Sequence, residues 1–541
     1  MKTGVGRPDW LLWLGWLALL AGVAYLSRPV LPLDETRYLA VAWEMWLRGD
    51  FLVPFKNGEA YSHKPPLLFW LIHAGWWLAG GVNEWWPRFI MPLLALASAW
   101  MTWRLARRLW PEANETAHLA PLVLLSSFLW LLYSQALMFD VLIAACALIG
   151  LIALVEAALT GRRRWWGLFG LSVGLGVLAK GPAILVHLLP AALFAPWWVG
   201  HLGREIKWSR WYGGVGIGLL LGVALALVWA IPAGLHGGET YRNAIFWGQT
   251  ADRMVESFAH RRPVWWYLAA LPVFLFPWLV WPRLLGALAR TLRSDIQDTG
   301  VRFSLTWFVS ALLIFSLISG KQPHYLLPEF PAAALLIAHA LTRHPPAGRP
   351  WLPALVFVLL GGALFAIALN DSLQLRLHWP AAIPVWAGLP FITAGLIAWS
   401  RLGTSPQRLA AAMLLAVCGL LFALFRPLAP AYDTHAIGQA LARQQALGKP
   451  IAHMGKYHAQ FHFSGRLAQA LTPVYTDIAD WLEQHPDGVA VIYFDDPIDF
   501  TAYQPLLVHP FRGSFALLVD QRAAAALRRI PLIAAPESPG D

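Results

Sequence analysis

Ten ionisable side chains crowd the stretch from Leu33 to Pro66: Asp34, Glu35, Arg37, Glu44, Arg48, Asp50, Lys56, Glu59, His63 and Lys64. Further single charges, Asp140, Lys180, Arg253, His260 and Lys321, stand in or beside apolar runs. Ionisable groups at a membrane face are costly unless they are paired or used. Lysine and arginine can hold a phosphate and stabilise the charge that grows on it as it leaves. A carboxylate can orient or deprotonate an acceptor hydroxyl. Each residue also has a plainer reading. Asp34 and Asp140 can cap the helices they precede, and Lys64, Lys180 and Lys321 can snorkel to the interface. Four cations and two carboxylates on one face of a body that otherwise avoids charge favour the chemical reading. The sequence has no Walker A or dinucleotide glycine motif and no sizeable inner domain for a nucleotide sugar. The phosphate is therefore assigned to a lipid that reaches the site sideways from the bilayer.

The elements that must position these groups are apolar. The chain has 541 residues, 58% hydrophobic and 13% charged, with a mean hydropathy of +0.53. That excludes a soluble globular enzyme and indicates a polytopic membrane protein. The 32 tryptophans and 27 phenylalanines suit interfacial belts. The net charge of +11 sits in short arginine clusters, which fits a positive-inside topology and no nucleic-acid surface. Cys146 and Cys418 both lie in apolar runs, so neither a disulfide nor a Cys metal site follows.

Apolar runs predict thirteen spans, near 9–28, 86–106, 117–136, 138–160, 166–180, 182–199, 212–232, 265–285, 303–319, 325–342, 351–369, 380–400 and 408–428. The run Trp10–Leu26 lacks a small-residue cleavage site and reads as a retained first span. Leu67–Ala79 is short and is placed along the outer interface. With that choice Arg104, Arg107, Arg108, Arg162, Arg163, Arg164, Arg290, Arg293, Arg343 and Arg401 all fall inside, together with the N-terminus. Two large outer loops, 29–85 and 233–264, result. Residues 1–429 form the membrane domain. Residues 430–541 read as a small outer α/β domain, with helices at Thr434–Gln445 and Ala523–Arg529 and strands at Pro450–His453, Val489–Phe494 and Phe515–Asp520.

Leu33-Asp34-Glu35-Thr36-Arg37-Tyr38, followed by Tyr61-Ser62-His63-Lys64-Pro65-Pro66-Leu67, resembles the signatures of the bacterial aminoarabinose transferases. These are relatives of the protein O-mannosyltransferases and share the GT-C fold. The likeness continues through Phe139-Asp140, Ala179-Lys180-Gly181-Pro182, Phe246-Trp247, Arg253, His260, Pro263 and Lys321-Gln322-Pro323-His324-Tyr325, and covers about residues 9–430. It implies an all-α polytopic GT-C body of about thirteen spans in the bacterial inner membrane, with its active site facing the periplasm. The implied reaction is inverting transfer of a sugar, aminoarabinose-like, from a polyprenyl (undecaprenyl) phosphate donor to lipid A or another envelope lipid or glycan. Asp34 and Asp140 are the implied catalytic carboxylates. Arg37, Tyr38, Tyr61, Lys64, Arg253, Lys321 and Tyr325 are implied to surround the donor phosphate, and Glu35, Lys180, His260 and His324 to make further substrate contacts.

Two positions depart from the family pattern: the signature glutamate is His63, and a histidine upstream of the arginine is Thr250. Those positions bind a metal in the family, so neither sugar nor metal is fixed, no cofactor is assigned, and His63 is the one candidate ligand for a divalent ion. His453, His458 and His462 read as polar loop residues, since no carboxylate or cysteine completes a set. A protein O-glycosyltransferase is the alternative within the fold. A lipid or sugar flippase or transporter is the alternative outside it, and requires mid-span charges and repeated halves that the sequence lacks.

Overall fold

The computed structural model describes residues 10–200, 205–248, 261–376, 382–495 and 499–527. The chain opens with α1 (Trp10–Ser27), α2 (Asp34–Arg48), a hairpin of β1 (Phe55–Lys56) and β2 (Glu59–Ala60), and α3 (Leu67–Leu78). The helical body continues as α4 (Trp85–Leu109), α5 (Asn114–Leu125), α6 (Phe128–Tyr133), α7 (Phe139–Thr160), α8 (Arg164–Lys180), α9 (Ile184–Leu193), α10 (Ala195–Trp198) and α11 (Trp208–His236). Among the described residues eight helices are long and apolar enough to cross a membrane, and three more, Leu11–Ser27, Leu67–Leu78 and Val385–Trp399, are apolar but shorter. The chain is a multi-pass membrane protein. At twelve residues α3 is about 18 Å long, well short of a ~30 Å hydrocarbon core.

The span count differs from the thirteen read from the sequence, for local reasons. The run Arg164–Leu193 holds two of the expected helices, and the chain reverses between them. Gly181 takes φ 69° and ψ −156°, outside the helical region, and a Cβ on Gly176 would meet the Ile184 side chain. The expected span 265–285 is not one continuous helix. Pro272, Pro277 and Pro282 interrupt it, each removing a backbone donor. A helix at Trp266–Phe274 is followed by a single turn, Trp278–Val280, and then by a helix at Pro282–Ser294. That last helix has three faces. Leu284, Ala287 and Thr291 are buried against the protein, Leu285 and Leu292 point outward exposed, and Arg283, Arg290 and Arg293 occupy the remaining side.

α7 is the hub. It is apolar on all sides and nearly every side chain in it is buried, as an all-round hydrophobic helix requires. Its two carboxylates lie 16 residues apart, about 24 Å along the axis. Asp140 is in the first turn. Glu156, near the other end, lies 2.6 Å from Nε of Arg108 and 3.8 Å from Arg104. The body thus has an arginine-rich end and an end that carries Asp140.

Beside α7, α8 packs on α11 through glycine. A Cβ on Gly170 would come within 2.8 Å of the Gly218 carbonyl oxygen, and one on Gly222 within 3.0 Å of the Gly170 carbonyl oxygen. Small residues at this spacing let two membrane helices touch backbone to backbone.

Beyond the helix Arg426–Tyr432 the chain builds a five-stranded sheet of β3 (Ile451–Met454), β4 (Thr472–Val474), β5 (Val489–Phe494), β6 (Leu507–Phe511) and β7 (Ser514–Val519), in the order β4-β3-β5-β7-β6. β3 runs parallel to β4 and β5, while β7 runs antiparallel to β5 and β6. Central β5 is buried at all six positions and reads as an unbroken apolar run. The two strands absent from the sequence reading, β4 and β6, are the edges. β4 has only three residues, and β6 contains Pro510, which an edge tolerates.

Candidate active site

Three chain reversals meet at the Asp140 end of the body: 134–140 before α7, 180–183 between α8 and α9, and 318–325. Met138 is extended and α7 begins at Phe139, so Asp140 falls in the first turn, yet its side chain makes no cap bond. It pairs with Lys180 instead. The capping reading of Asp140 is thereby replaced by an ion pair. Lys180 also lies 5.0 Å from the Tyr325 ring centroid, a cation–π contact. His324 sits beside this pair, with Nδ1 3.3 Å from the Tyr133 hydroxyl, and feels the charges of Asp140, Lys180, Lys64 and Asp34 together. Tyr133 was not singled out in the sequence. Its signal there is a polar triplet, Tyr133-Ser134-Gln135, ending an apolar run.

The second half of the site comes from α2. Its first turn is acidic, as a helix N-terminus favours. Asp34 does not cap; it pairs with Arg37 at 2.5 Å and lies 3.5 Å from the Tyr38 hydroxyl. The Tyr38 ring meets the Phe139 ring edge-on at 4.9 Å, joining the start of α2 to the start of α7. Burial, with Asp34 next, pushes the Tyr38 phenol well above its usual value, so it stays a hydrogen-bond donor. Lys64 Nζ lies 5.9 Å over the same Phe139 ring. Tyr61 is buried, its amide donates to the Pro54 carbonyl, and the His63 ring lies tilted beside its ring with centroids 5.3 Å apart. The two carboxylates differ in access. The Asp34 side chain is 45% exposed and that of Asp140 3%. Only Asp34 can meet a substrate without rearrangement.

The structure therefore gathers Asp34, Arg37, Tyr38, Lys64, Asp140, Lys180, His324 and Tyr325 around Phe139 and Tyr133, with Tyr61 and His63 on the adjoining segment. Glu35 is turned away. Its carboxylate receives both terminal nitrogens of Arg28, at 2.6 and 3.1 Å, and the amides of Leu31 and Leu137, each at 2.7 Å. It ties the segment before α2 to the segment before α7 and has no capacity left for a substrate. Lys321 is buried with Nζ on the Arg262 and Ile318 carbonyls, at 3.0 and 2.5 Å, so its ammonium is spent on backbone rather than on the gathered charges. Arg253, His260 and Thr250 lie outside the described residues.

His453, His458 and His462 are all buried in the sheet domain rather than polar surface residues: His453 on β3, His462 at the start of a short helix, and His458 on the irregular segment between them. His453 Nε2 meets the Tyr493 hydroxyl at 2.8 Å and His462 Nδ1 the Tyr457 hydroxyl at 2.9 Å. Among the described residues no three His, Cys, Asp or Glu side chains converge as metal ligands, at His63 or elsewhere.

Residues 63–230 match the family described as dolichyl-phosphate-mannose-protein mannosyltransferase. The undecaprenyl phosphate-alpha-4-amino-4-deoxy-L-arabinose arabinosyl transferase of Pseudomonas aeruginosa is 32% identical over 388 residues, 69% of this chain and 67% of that protein. The enzyme of the same description from Edwardsiella ictaluri is 31% identical over 342 residues, 61% of this chain and 60% of that protein. The match thus spans about 60% of the length of several such relatives. In architecture the chain is similar to ArnT from Cupriavidus metallidurans, with a TM-score of 0.70 in the apo state at 18% identity, covering 97% of this chain and 99% of that one. Against the same protein bound to undecaprenyl phosphate the TM-score is 0.67 at 19% identity.

Proposed function

This chain belongs to the undecaprenyl phosphate-aminoarabinose arabinosyl transferase family, with its GT-C fold, and from that premise we propose that it transfers aminoarabinose from undecaprenyl phosphate to lipid A. The transfer takes place on the periplasmic face of the bacterial inner membrane. The observation that carries this reading is the convergence of Lys64, Arg37 and Lys180 with one exposed and one sealed carboxylate at the end of the body opposite the arginine clusters.

The acceptor oxygen attacks the anomeric carbon from the face opposite the phosphate. The new C–O bond forms as the bond to the phosphate oxygen breaks, and that oxygen keeps the electron pair. Charge grows on the departing lipid phosphate, where Lys64 and Arg37 stabilise it. The Tyr38 phenol donates a further hydrogen bond. Asp34, open to solvent, orients the acceptor and takes its proton when the acceptor is a hydroxyl; a phosphate acceptor arrives ionised and needs no base. Asp140 holds Lys180 over Tyr325 and so fixes the cation's position. His63 stands where the family has glutamate. The test is mass spectrometry of lipid A and polyprenyl phosphates from cells with and without the gene, followed by transfer with the purified protein in lipid. Lipid A that gains the mass of aminoarabinose only when the gene is present supports the proposal. Unchanged lipid A beside a glycosylated periplasmic protein points to the protein O-glycosyltransferase reading.

A further inference from the structure

We infer that the outer sheet domain, through its segment 461–471, positions the phosphate-binding stretch Tyr61–Lys64, and that Asn57 is the positioning residue through which it acts. The inference deepens the proposed function and rests on it. Asn57 and Gly58 form the tip of the β1–β2 hairpin, with φ of 53° and 85°, the left-handed pair that an Asn-Gly turn supplies. The tip is held from two sides. On the membrane side the buried Glu44 carboxylate of α2 accepts from the amides of Asn57 and of Gly58, the latter at 2.9 Å. On the domain side Asn57 and Leu471 exchange two bonds, Nδ2 to the Leu471 carbonyl and the Leu471 amide to Oδ1, both at 2.9 Å.

The same domain segment grips α2. The Trp43 indole donates to the Leu467 carbonyl at 2.8 Å, Arg466 lies 5.5 Å over the Trp43 ring, and His462 Nε2 is 3.8 Å from Glu44. α2 carries Asp34, Arg37 and Tyr38, and the hairpin leads in four residues to Tyr61 and in seven from Asn57 to Lys64. The intervening chain is stiff. The Tyr61 amide bonds the Pro54 carbonyl at 2.7 Å, and Pro65-Pro66 restrict the residues before them. A shift of segment 461–471 is thus passed to both halves of the site. The two-bond contact of Asn57 can be removed without touching a site residue or a buried charge.

Asn57→Gly keeps the left-handed turn and deletes the side-chain contact alone. The measurement is the affinity of the full-length protein in nanodiscs for undecaprenyl phosphate, with thermal unfolding in parallel. Asn57→Gly is expected to weaken binding about tenfold in the wild-type background. In the Lys64→Ala background it is expected to weaken binding no further, because its effect runs through Lys64. Equal losses in both backgrounds, or no loss in either, overturn the inference. Asn57→Asp retains the acceptor for the Leu471 amide, and an intermediate affinity is expected; it carries the same cycle if Asn57→Gly lowers the yield of folded protein. Wild-type protein that does not bind undecaprenyl phosphate sinks the functional reading itself. Wild-type binding that Lys64→Ala weakens, beside a silent Asn57→Gly, sinks only the clamp.

Discussion

Lys64 and Asp34 divide the work expected of the site. Lys64 sits above Phe139 with the donor phosphate as its expected partner, so Lys64→Ala should lower transfer by ~10²–10³ with unfolding unchanged, read as turnover of well-expressed protein. Lys64→Arg is expected to restore only part, because a planar fork does not replace a point charge. Asp34→Asn keeps the size of the side chain, and its expected result is lost turnover with donor binding retained. Asp140 behaves differently because it is sealed and paired with Lys180. Asp140→Asn strands the lysine and is expected to cost about 3–5 kcal/mol of stability. Asp140→Asn with Lys180→Met should recover most of that stability in thermal unfolding while transfer stays absent. Equal instability of the single and double variants would contradict the pairing.

α8 delivers Lys180 to the site, and its glycine seam with α11 sets where that lysine ends up. Gly218→Val drives a branched side chain into the Phe169 ring and the Trp166 carbonyl. The expected outcome is a drop in melting temperature together with loss of transfer, whereas the same change at the open position Gly216 should be neutral in both. This seam could not be read from the sequence, because glycines at helical spacing do not name the helix they face. The apolar runs themselves were legible, since twenty residues without charge have few other fates. So were α2, with its acidic first turn and Gly49 stop, and the central β5. The break at 275–281 was written in Pro272, Pro277 and Pro282 but masked by the aromatic and aliphatic residues between them. Within the site, charge type and order marked Asp34, Lys64, Asp140 and Lys180. Composition could not tell that Glu35 and Lys321 are consumed by backbone and arginine, because one partner of each, Leu137 and Arg262, lies about 100 and 60 residues away.

For the molecule as a whole, the sheet domain links the site to pH. Burial holds His462 down to about 4 and His453 down to about 3, against about 6.5 when unfolded. Both prefer to be neutral in the folded domain, so their contribution is complete above pH 6.5 and is lost as the pH falls towards 4 and 3. Burial raises the Glu44 carboxyl, which works the other way and softens the loss. Loosening of segment 461–471 is expected between pH 6.5 and 4, detected as proteolysis within it ahead of the helical body; uniform resistance down to pH 4 would contradict this. At the opposite end lies the helix Pro282–Ser294, with one side on protein, one of leucine and one of arginine. Such a helix floats. If the molecule sinks, Arg290 and Arg293 enter hydrocarbon; if it rises, Leu285 and Leu292 meet water. Turnover should therefore peak at one acyl-chain length, and Arg290→Gln with Arg293→Gln should flatten that dependence. That helix is expected to set the body's draught in the bilayer, and with it the height at which the lipid phosphate of the proposed reaction meets Lys64.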